Sequence, residues 1–276
     1  MKNLNWQDEI EERYIETNGI TLHTIIIGVG KPLVLLHGFP DFWFGWKKLI
    51  PLIKDNFQLI IPDMRGYNLS DKPEGVENYR VEHLIEDIHG LINHFGFESV
   101  YLAGHDWGGV LSWFIAEKYP TKIKKLAIIN APHLKIFQSK LKNDAAQKKA
   151  SSYIFRFLQP DSEKIILANN FQVLRGGLKE DEDKYMAAWS QPGSITCGIN
   201  YYRANMDYED WTGIIEVPTL VIHGMKDGAI LPVVLDGLDK YVKDLKIVRA
   251  EELRHSAQKE DPQMVASEFI NFFVEL

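Results

Sequence analysis

The sequence predicts an α/β protein with a mostly parallel, eight-stranded sheet that is flanked by helices and interrupted by an inserted helical segment. Three observations predict this fold class. Short apolar runs recur along the chain, and from Leu33 onward most are apolar at every position, as in parallel strands buried on both faces. Helical patterns such as Val81–Phe95 and Trp107–Tyr119 separate them. Roughly eighty residues between the sixth and seventh runs show no strand pattern, which is too many for a structureless loop.

Eight segments are predicted to be strands. In order they are Arg13–Thr17, Ile20–Ile27, Leu33–Leu36, Leu59–Pro62, Val100–Ala103, Leu126–Asn130, Thr219–His223 and Lys246–Arg249. Asn18-Gly19 joins the first two and favours the tight turn of an antiparallel hairpin.

The predicted domain boundaries follow from where the strand pattern stops and resumes. It stops after Asn130 and resumes at Val217, and helical stretches rich in Lys, Glu, Phe and Tyr lie between. We therefore predict a core formed by residues 1–131 and 214–276, with residues 132–213 as a helical cap inserted between two strands.

Composition and charge exclude several classes of protein. The 276 residues are 45% hydrophobic and 25% charged, which is ordinary for a globular chain and argues against a disordered or fibrous one. The net charge of −7 disfavours nucleic acid as a partner, since such partners require a basic surface. We therefore expect a small-molecule substrate.

Cysteine content and hydropathy suggest a location in the cell. The single cysteine, Cys197, cannot form an intramolecular disulfide, and the first residues do not resemble a secretory leader. No apolar run approaches the roughly 18–20 residues that span a bilayer. We expect a soluble, cytoplasmic protein without a membrane partner; the sequence leaves open whether it is a monomer or a homodimer.

An acid occupies a sharp turn between a predicted strand and helix, in Gly104-His-Asp106-Trp-Gly108. The spacing is that of the nucleophile elbow G-x-S-x-G, with Asp106 in the place of the serine. The two glycines allow the close backbone approach that the turn needs, and the helix N-terminus favours a carboxylate. Asp106 is thus a candidate nucleophile; the competing interpretation is a simple helix N-cap.

A second turn, His37-Gly38-Phe39, follows the third predicted strand. We expect the backbone N–H groups of Phe39 and Trp107 to form a two-donor oxyanion hole. His-Gly by itself is weak evidence for an oxyanion hole. Its position after the third predicted strand and upstream of the elbow strengthens that interpretation.

Two further candidates follow in chain order. Asp227 lies just past the seventh predicted strand, and His255 lies between the eighth strand and the last helix. His255 would supply a base with a reference pKa of about 6.5, and Asp227 would fix its tautomer. Singly, each is more often a turn or surface residue; together, in the order nucleophile, acid, histidine, they indicate a catalytic triad.

With these residues the chain resembles the α/β-hydrolase superfamily, and within it the branch of epoxide hydrolases and haloalkane dehalogenases, whose nucleophile is an aspartate. The resemblance implies the α/β-hydrolase fold and spans nearly the whole chain, with the cap least constrained. Its segments are His37-Gly-Phe-Pro40 with Trp43 and Trp46, Asp63-Met-Arg-Gly-Tyr-Asn-Leu-Ser70, Gly104-His-Asp-Trp-Gly-Gly109, Asp227, and His255-Ser-Ala-Gln-Lys-Glu-Asp-Pro262.

Two cap segments are similar to those of epoxide hydrolases. They are Ser152-Tyr153-Ile-Phe-Arg-Phe-Leu-Gln-Pro160 and Asn200-Tyr-Tyr202-Arg203. The resemblance implies that Tyr153 and Tyr202 hydrogen-bond the epoxide oxygen. The competing interpretation is that both belong to an aromatic cap core.

Other positions bear on the choice between epoxide and halide chemistry. Phe39 stands where haloalkane dehalogenases of this type usually carry a halide-binding Asn, and Trp107 and Val110 stand where fluoroacetate dehalogenases carry arginines. Ser256 departs from the aromatic residue that relatives often have after the histidine, which bears on the shape of the substrate.

The reaction that these residues predict has two steps. Ionised Asp106 opens an epoxide, the tyrosines stabilise the alkoxide, and water activated by His255 hydrolyses the resulting ester to a 1,2-diol. One alternative is a haloalkane or haloacid dehalogenase with the same triad, and another is an inactive ligand-binding or scaffold protein. A serine esterase is disfavoured because no serine occupies the elbow.

Aromatic residues near the turn and the cap predict an apolar substrate pocket. Phe42 and Trp43 are candidate substrate-binding residues of this pocket. No residue spacing resembles a metal site, so we expect neither a metal nor a cofactor.

Overall fold

One eight-stranded sheet forms the centre of the computed structural model, which describes residues 5–178, 180–209 and 211–274. Its order is β1-β2-β4-β3-β5-β6-β7-β8, which confirms the predicted eight strands. The strands are β1 (Glu11–Thr17), β2 (Ile20–Ile27), β3 (Lys31–Leu36), β4 (Phe57–Pro62), β5 (Val100–His105), β6 (Ile123–Ile129), β7 (Thr219–Gly224) and β8 (Leu245–Ala250).

Strand pairing is antiparallel only at one edge of the described sheet. β1 pairs antiparallel with β2, and β2 pairs antiparallel with β4; the remaining neighbours are parallel. The turn between β1 and β2 is made by Asn18 and Gly19, with φ values of 47° and 74°. Positive φ at both positions is what the predicted two-residue hairpin turn requires.

Eleven α-helices occur in the described residues. They are α1 (Ile50–Ile53), α2 (Val81–His94), α3 (Trp107–Lys118), α4 (Leu134–Asn143), α5 (Ala145–Ala150), α6 (Ser152–Phe157), α7 (Ser162–Arg175), α8 (Glu182–Trp189), α9 (Ser194–Asn205), α10 (Ala257–Glu260) and α11 (Pro262–Phe273). The two crossover helices predicted from the sequence, α2 and α3, begin at the expected residues and end one residue early.

The apolar strands are buried on both faces because helices cover both sides of the sheet. In β3, Leu33 and Leu35 pack in the cluster that includes α1 and α11, whereas Val34 and Leu36 pack in the cluster that includes α2 and α3. All four side chains are fully buried. Alternation along a strand therefore sends neighbouring residues into two different cores, so that every position must be apolar.

Helices α4 to α9 follow β6 and precede β7, and we call residues 134–205 the helical insertion. The insertion packs on loops at the carboxyl ends of the strands. The Tyr185 hydroxyl donates to Asp41 Oδ1 (3.0 Å), and the Trp189 indole N–H donates to the Pro40 carbonyl (2.6 Å). Both partners lie in the loop that follows β3.

The connections of the sheet create a crevice at the carboxyl ends of β3 and β5. From β3 the chain moves outward to β4 and then returns to the other side of β3 as β5. Loops on the two sides of such a switch point diverge and leave a crevice where α/β proteins bind ligands. The loops after β3, β5, β6, β7 and β8 all end at this edge.

Candidate active site

Asp106 lies at a strained turn between β5 and α3. Its φ and ψ of 50° and −123° are sparsely populated for a residue with a side chain. The turn fits because Gly104 and Gly108 lack side chains: a Cβ on Gly104 would lie 2.3 Å from the Gly108 carbonyl oxygen, and one on Gly108 would lie 2.3 Å from that of Leu36. The glycines of the motif thus allow the acid to project from the end of the sheet.

The Asp106 carboxyl is held by the loop after β3. The Phe39 N–H donates to Asp106 Oδ1 at 2.8 Å, and the Trp107 N–H also hydrogen-bonds this carboxyl. The two backbone donors predicted for the oxyanion hole therefore contact Asp106 itself. Gly38 is equally constrained, since a Cβ there would lie 2.3 Å from the Cβ of Asp106.

His255 faces the second oxygen of the same carboxyl. Its Nε2 lies 3.5 Å from Asp106 Oδ2, and its Nδ1 lies 2.8 Å from Asp227 Oδ2. Burial lowers the pKa of the imidazole, but hydrogen bonds to both carboxylates and their charges outweigh burial and raise that pKa to about 10. The resting site therefore carries an imidazolium between two carboxylates.

The pKa of Asp106 moves in the opposite direction. Burial raises the pKa of its carboxyl, yet the hydrogen bond and charge of His255 more than offset burial, so that the pKa lies below the usual value. Asp106 is ionised at neutral pH. A carboxylate in this position can act as a nucleophile without prior removal of a proton.

Asp227 is fixed by four hydrogen bonds at the end of β7. The N–H groups of Ala229 and Ile230 donate to its Oδ1 at 2.8 and 3.0 Å, and Oδ2 accepts from Asn130 Nδ2 at 2.8 Å besides His255. Burial raises the pKa of the Asp227 carboxyl, but these donors and the charge of His255 bring it down to about 2. Asp227 therefore remains an anion that orients His255.

Asn130 is a site residue that the sequence analysis did not identify. It follows β6, has a φ of 44°, and accepts from the Gly224 N–H (3.3 Å) while donating to Asp227. The signal was present: a polar residue that tolerates positive φ directly after a buried strand. Its role could not be inferred because the side-by-side placement of β6 and β7 is a tertiary feature.

Tyr153 in α6 and Tyr202 in α9 lie above Asp106. Their ring centroids are 6.3 Å apart at 85°, and the Tyr202 ring packs edge-on against Trp107 at 5.0 Å. Burial raises the pKa of both phenols, and the charge of Asp106 raises it further. Both phenols therefore keep their protons at neutral pH. The two hydroxyls are therefore hydrogen-bond donors.

Asp106 and the two tyrosines line one small cavity of about 40 Å³. Its remaining walls are mostly apolar, among them Val110, Phe137 and Ile230. Two phenols and a carboxylate thus share a space whose other walls are mostly apolar.

A larger groove of about 820 Å³ lies on the histidine side of the site. Asp227, His255 and Ser256 line it, together with Tyr185 of the insertion and Lys259. The His255 side chain is 31% exposed, and that of Asp106 is 12% exposed. Asp106 lines the small cavity and His255 lines the groove. The contact between Asp106 and His255 therefore lies between the cavity and the groove.

The structure does not bring the predicted substrate-binding residues Phe42 and Trp43 to the cavity over Asp106. Phe42 is buried and stacks on Phe44 (5.8 Å), with the ring of Tyr185 edge-on at 5.4 Å. Trp43 packs on Phe44 at 5.3 Å. A short 3-10 helix, Trp43–Trp46, turns these rings into the contact between core and insertion.

None of the helices in the described part of the chain combines the length and apolar character needed to cross a membrane. That same part holds no group of three or more His, Cys, Asp or Glu side chains arranged to bind a metal ion.

The sheet order, the acid elbow and the His255–Asp227 pair define a class of protein. The family model for the α/β hydrolase fold matches residues 31–262, and the chain belongs to this superfamily and is a hydrolase. Its predicted resemblance to that superfamily is confirmed.

Similarity to individual proteins places the chain within the superfamily. It is 36% identical over 274 residues to the AB hydrolase superfamily protein YfhM of Bacillus subtilis, covering 94% of this chain and 96% of that protein. It is 33% identical over 272 residues to epoxide hydrolase 4 of Homo sapiens, covering 91% and 75%. The crystal structure of Bacillus megaterium epoxide hydrolase with an inhibitor superposes with a TM-score of 0.90 at 33% identity, covering 95% and 99%. The chain therefore belongs to the branch of the superfamily that contains epoxide hydrolases.

Proposed function

We propose that this protein is an epoxide hydrolase that converts a small, uncharged, partly hydrophobic epoxide to a 1,2-diol through an ester on Asp106. The observation that carries the proposal is the shared cavity of Asp106, Tyr153 and Tyr202. Opening an epoxide requires a nucleophile for carbon and hydrogen-bond donors for oxygen, and this cavity offers both. The similarity to epoxide hydrolases supports the same reaction.

In the first step, Asp106 Oδ2 attacks an epoxide carbon. Its Oδ1 is occupied by the Phe39 N–H, which leaves Oδ2 as the attacking atom. As the new C–O bond forms, the C–O bond of the ring breaks and its electron pair stays on the epoxide oxygen. Tyr153 and Tyr202 donate hydrogen bonds to this developing alkoxide, which takes up one proton.

The second step uses the change of charge that the first step produces. Once Asp106 is an ester, it no longer holds the proton on His255, so the imidazole pKa falls and the proton can leave for the alkoxide. Neutral His255, oriented by Asp227, then takes a proton from water. The water oxygen attacks the ester carbonyl, and the Phe39 and Trp107 N–H groups stabilise the oxyanion. The bond between the carbonyl carbon and Oδ2 then breaks, and the leaving alkoxide takes the second proton of the water. The diol leaves, Asp106 is again a carboxylate, and His255 is again an imidazolium.

We further propose that residues 132–213 act as a cap over a core formed by residues 1–131 and 214–276, and that the cap moves to admit substrate. A cavity of about 40 Å³ holds on the order of one water molecule, whereas ligand pockets commonly measure about 300–1,000 Å³. An epoxide with an aromatic group therefore needs the tyrosines to move away from Asp106.

The test is diol formation from styrene oxide, with halide release from 1-bromobutane and fluoroacetate measured in parallel. Asp106→Ala should abolish diol formation, and His255→Gln should stop the second step and leave a stable adduct that intact-mass spectrometry detects. Residual diol from Asp106→Ala, or no adduct on His255→Gln, contradicts the ester route. Halide release without diol formation would favour the dehalogenase alternative, and binding without either reaction would favour a ligand-binding protein.

A further inference from the structure

Gln147 in α5 of the insertion has a completely buried side chain whose amide contacts the core. Its Nε2 donates to the Ala229 carbonyl (2.9 Å) and to Ser151 Oγ (2.7 Å), and its Oε1 accepts from the Leu231 N–H (2.9 Å). A buried amide with partners at both ends fixes the groups that it bonds, because any displacement leaves a polar atom unpaired.

The backbone that Gln147 binds is the segment that holds Asp227. Ala229 and Leu231 flank Ile230, and the N–H groups of Ala229 and Ile230 are the two donors to Asp227 Oδ1. Gln147 thus hydrogen-bonds the same three-residue backbone segment that supplies the two donors to Asp227. One side chain of the insertion therefore contacts the backbone that holds Asp227.

Gln147 is itself held in place by its own helix. Asp144 caps α5 by accepting from the Gln147 N–H at 2.8 Å, and Ser151 at the other end of the helix bonds the Gln147 side chain. The amide therefore reaches the core with a defined direction. This arrangement makes it a rigid link between α5 and the loop after β7.

We propose that Gln147 is a positioning residue that couples the seating of the insertion to the ester-hydrolysis step, an inference that rests on the proposed function. When the insertion is closed, Gln147 fixes residues 229–231, and Asp227 holds His255 in position to activate water. When the insertion lifts, this link breaks and the base loses its alignment. Hydrolysis of the ester thereby requires the closed form, which shields the intermediate from bulk solvent.

The effect should fall on the second step alone. Asp106 Oδ1 is held by the Phe39 N–H, and in the described part of the chain the hydrogen bonds of the Gln147 side chain go to Ser151, Ala229 and Leu231, not to Phe39 or Trp107. Ester formation therefore does not need the link, whereas hydrolysis needs His255 in register with Asp227. Misplacement of a catalytic group by about 1 Å can slow a step by about 10².

The test is single-turnover kinetics with styrene oxide on Gln147→Met, which keeps the length of the side chain and removes its hydrogen bonds. We expect ester formation to stay within about threefold of wild type and ester hydrolysis to slow by about 10- to 100-fold. The apparent pKa of the hydrolysis step should also fall, because a misplaced Asp227 supports the imidazolium less. Gln147→Glu, which keeps the acceptor for Leu231 and loses the donor to Ala229, should give an intermediate slowing.

Lys140→Met is the matched control. It removes the contact between α4 of the insertion and Asp236 of the core (3.4 Å), and neither residue lines the cavity over Asp106 or the groove beside His255. We expect both steps to remain within about threefold of wild type in this variant. Equal slowing of both steps in Gln147→Met, or equal effects of Gln147→Met and Lys140→Met, would overturn the inference. If Gln147→Met does not fold, Gln147→Glu gives the same comparison.

A readout without substrate separates this inference from the proposed function. The proton between His255 Nδ1 and Asp227 should give a far-downfield NMR signal, which we expect Gln147→Met to shift or broaden and Lys140→Met to leave in place. An unchanged signal in Gln147→Met overturns the inference whatever the reaction is. Absence of an ester in wild type and in His255→Gln overturns the proposed function and leaves the NMR result valid.

Discussion

Replacing Asp227 by Asn gives the most direct test of how His255 is prepared for its role. In the structure, Asp227 accepts two hydrogen bonds at each oxygen: Ala229 and Ile230 donate to Oδ1, and Asn130 and His255 donate to Oδ2. An asparagine has one acceptor oxygen. Its NH₂ group must therefore take the place of one carboxylate oxygen and face the donors there. We expect it to take the place of Oδ2, because the His255 ring can change its tautomer whereas the backbone N–H groups of Ala229 and Ile230 cannot.

With its oxygen on the backbone donors, the introduced asparagine side chain would present its NH₂ group to His255. The imidazole then takes the tautomer that accepts at Nδ1 and carries its proton on Nε2, which cannot take a proton from water. The corresponding Asp-to-Asn change in a serine protease triad lowers the rate by about 10⁴, which equals about 5.5 kcal/mol of activation free energy. We expect about this loss in ester hydrolysis for Asp227→Asn, with ester formation nearly unchanged.

Stability offers a second measurement on the same variant. The pKa of Asp227 is lowered from 3.8 to about 2 in the folded protein, which corresponds to about 2 kcal/mol of stability. Because the folded pKa is depressed, this contribution is present above about pH 4 and is lost as the pH falls through 2. Thermal unfolding should separate Asp227→Asn from wild type at pH 7 and bring the two together near pH 2.

The assay is rapid-quench single turnover with styrene oxide, in which intact mass follows the ester and chromatography follows the diol. Asp236→Asn is the control, because its carboxylate is 67% exposed and contacts only Lys140 among the described residues. Hydrolysis by Asp227→Asn at the wild-type rate would refute the reasoning, as would equal losses in both steps.

Three further predictions concern the nucleophile and its surroundings. Tyr153→Phe and Tyr202→Phe should each slow ester formation by about 10²-fold and leave hydrolysis of preformed ester nearly unchanged, because each removes one donor to the alkoxide; stopped-flow measurement of both steps checks this. Ester decay should accelerate as the pH rises and His255 loses its proton, with an apparent pKa below the value of about 10 in the resting site; a flat profile between about pH 6 and 10 contradicts the assigned base. Gly38→Ala should lower the free energy of unfolding by about 1–3 kcal/mol, since its Cβ would lie 2.3 Å from that of Asp106, whereas Gly228→Ala, with open space around its Cβ, should stay near wild type in denaturant titration.

The sequence was sufficient to predict the sheet because burial on two faces leaves a direct mark on composition. Leu33 to Leu36 are apolar at every position since alternate side chains enter different cores. The elbow was predictable for a similar reason, because Gly104 and Gly108 are required by backbone contacts that any side chain would block. In both places the local sequence records the tertiary constraint.

The contacts between the insertion and the core were not predictable in this way. Gln147 is a polar residue on a short helix, and nothing in its neighbours indicates that it reaches the loop after β7. Phe42 and Trp43 show the same limit: their nearness in sequence to the turn at Phe39 predicted a place at the pocket, whereas in the structure their rings pack toward Phe44 and Tyr185. Packing between segments that are distant in sequence determines where such side chains lie.

The two oxygens of Asp106 have different surroundings, and in the proposed reaction they have different fates. Oδ1, anchored by the Phe39 N–H, remains with the protein through every cycle, whereas Oδ2, which faces His255, departs in the diol. A solvent atom then fills the vacated position. The first diol that each protein molecule releases would thus contain an oxygen atom from Asp106, and an oxygen atom from water would replace it. In ¹⁸O-labelled water, the label would therefore enter the protein in the first cycle and the diol only in the next.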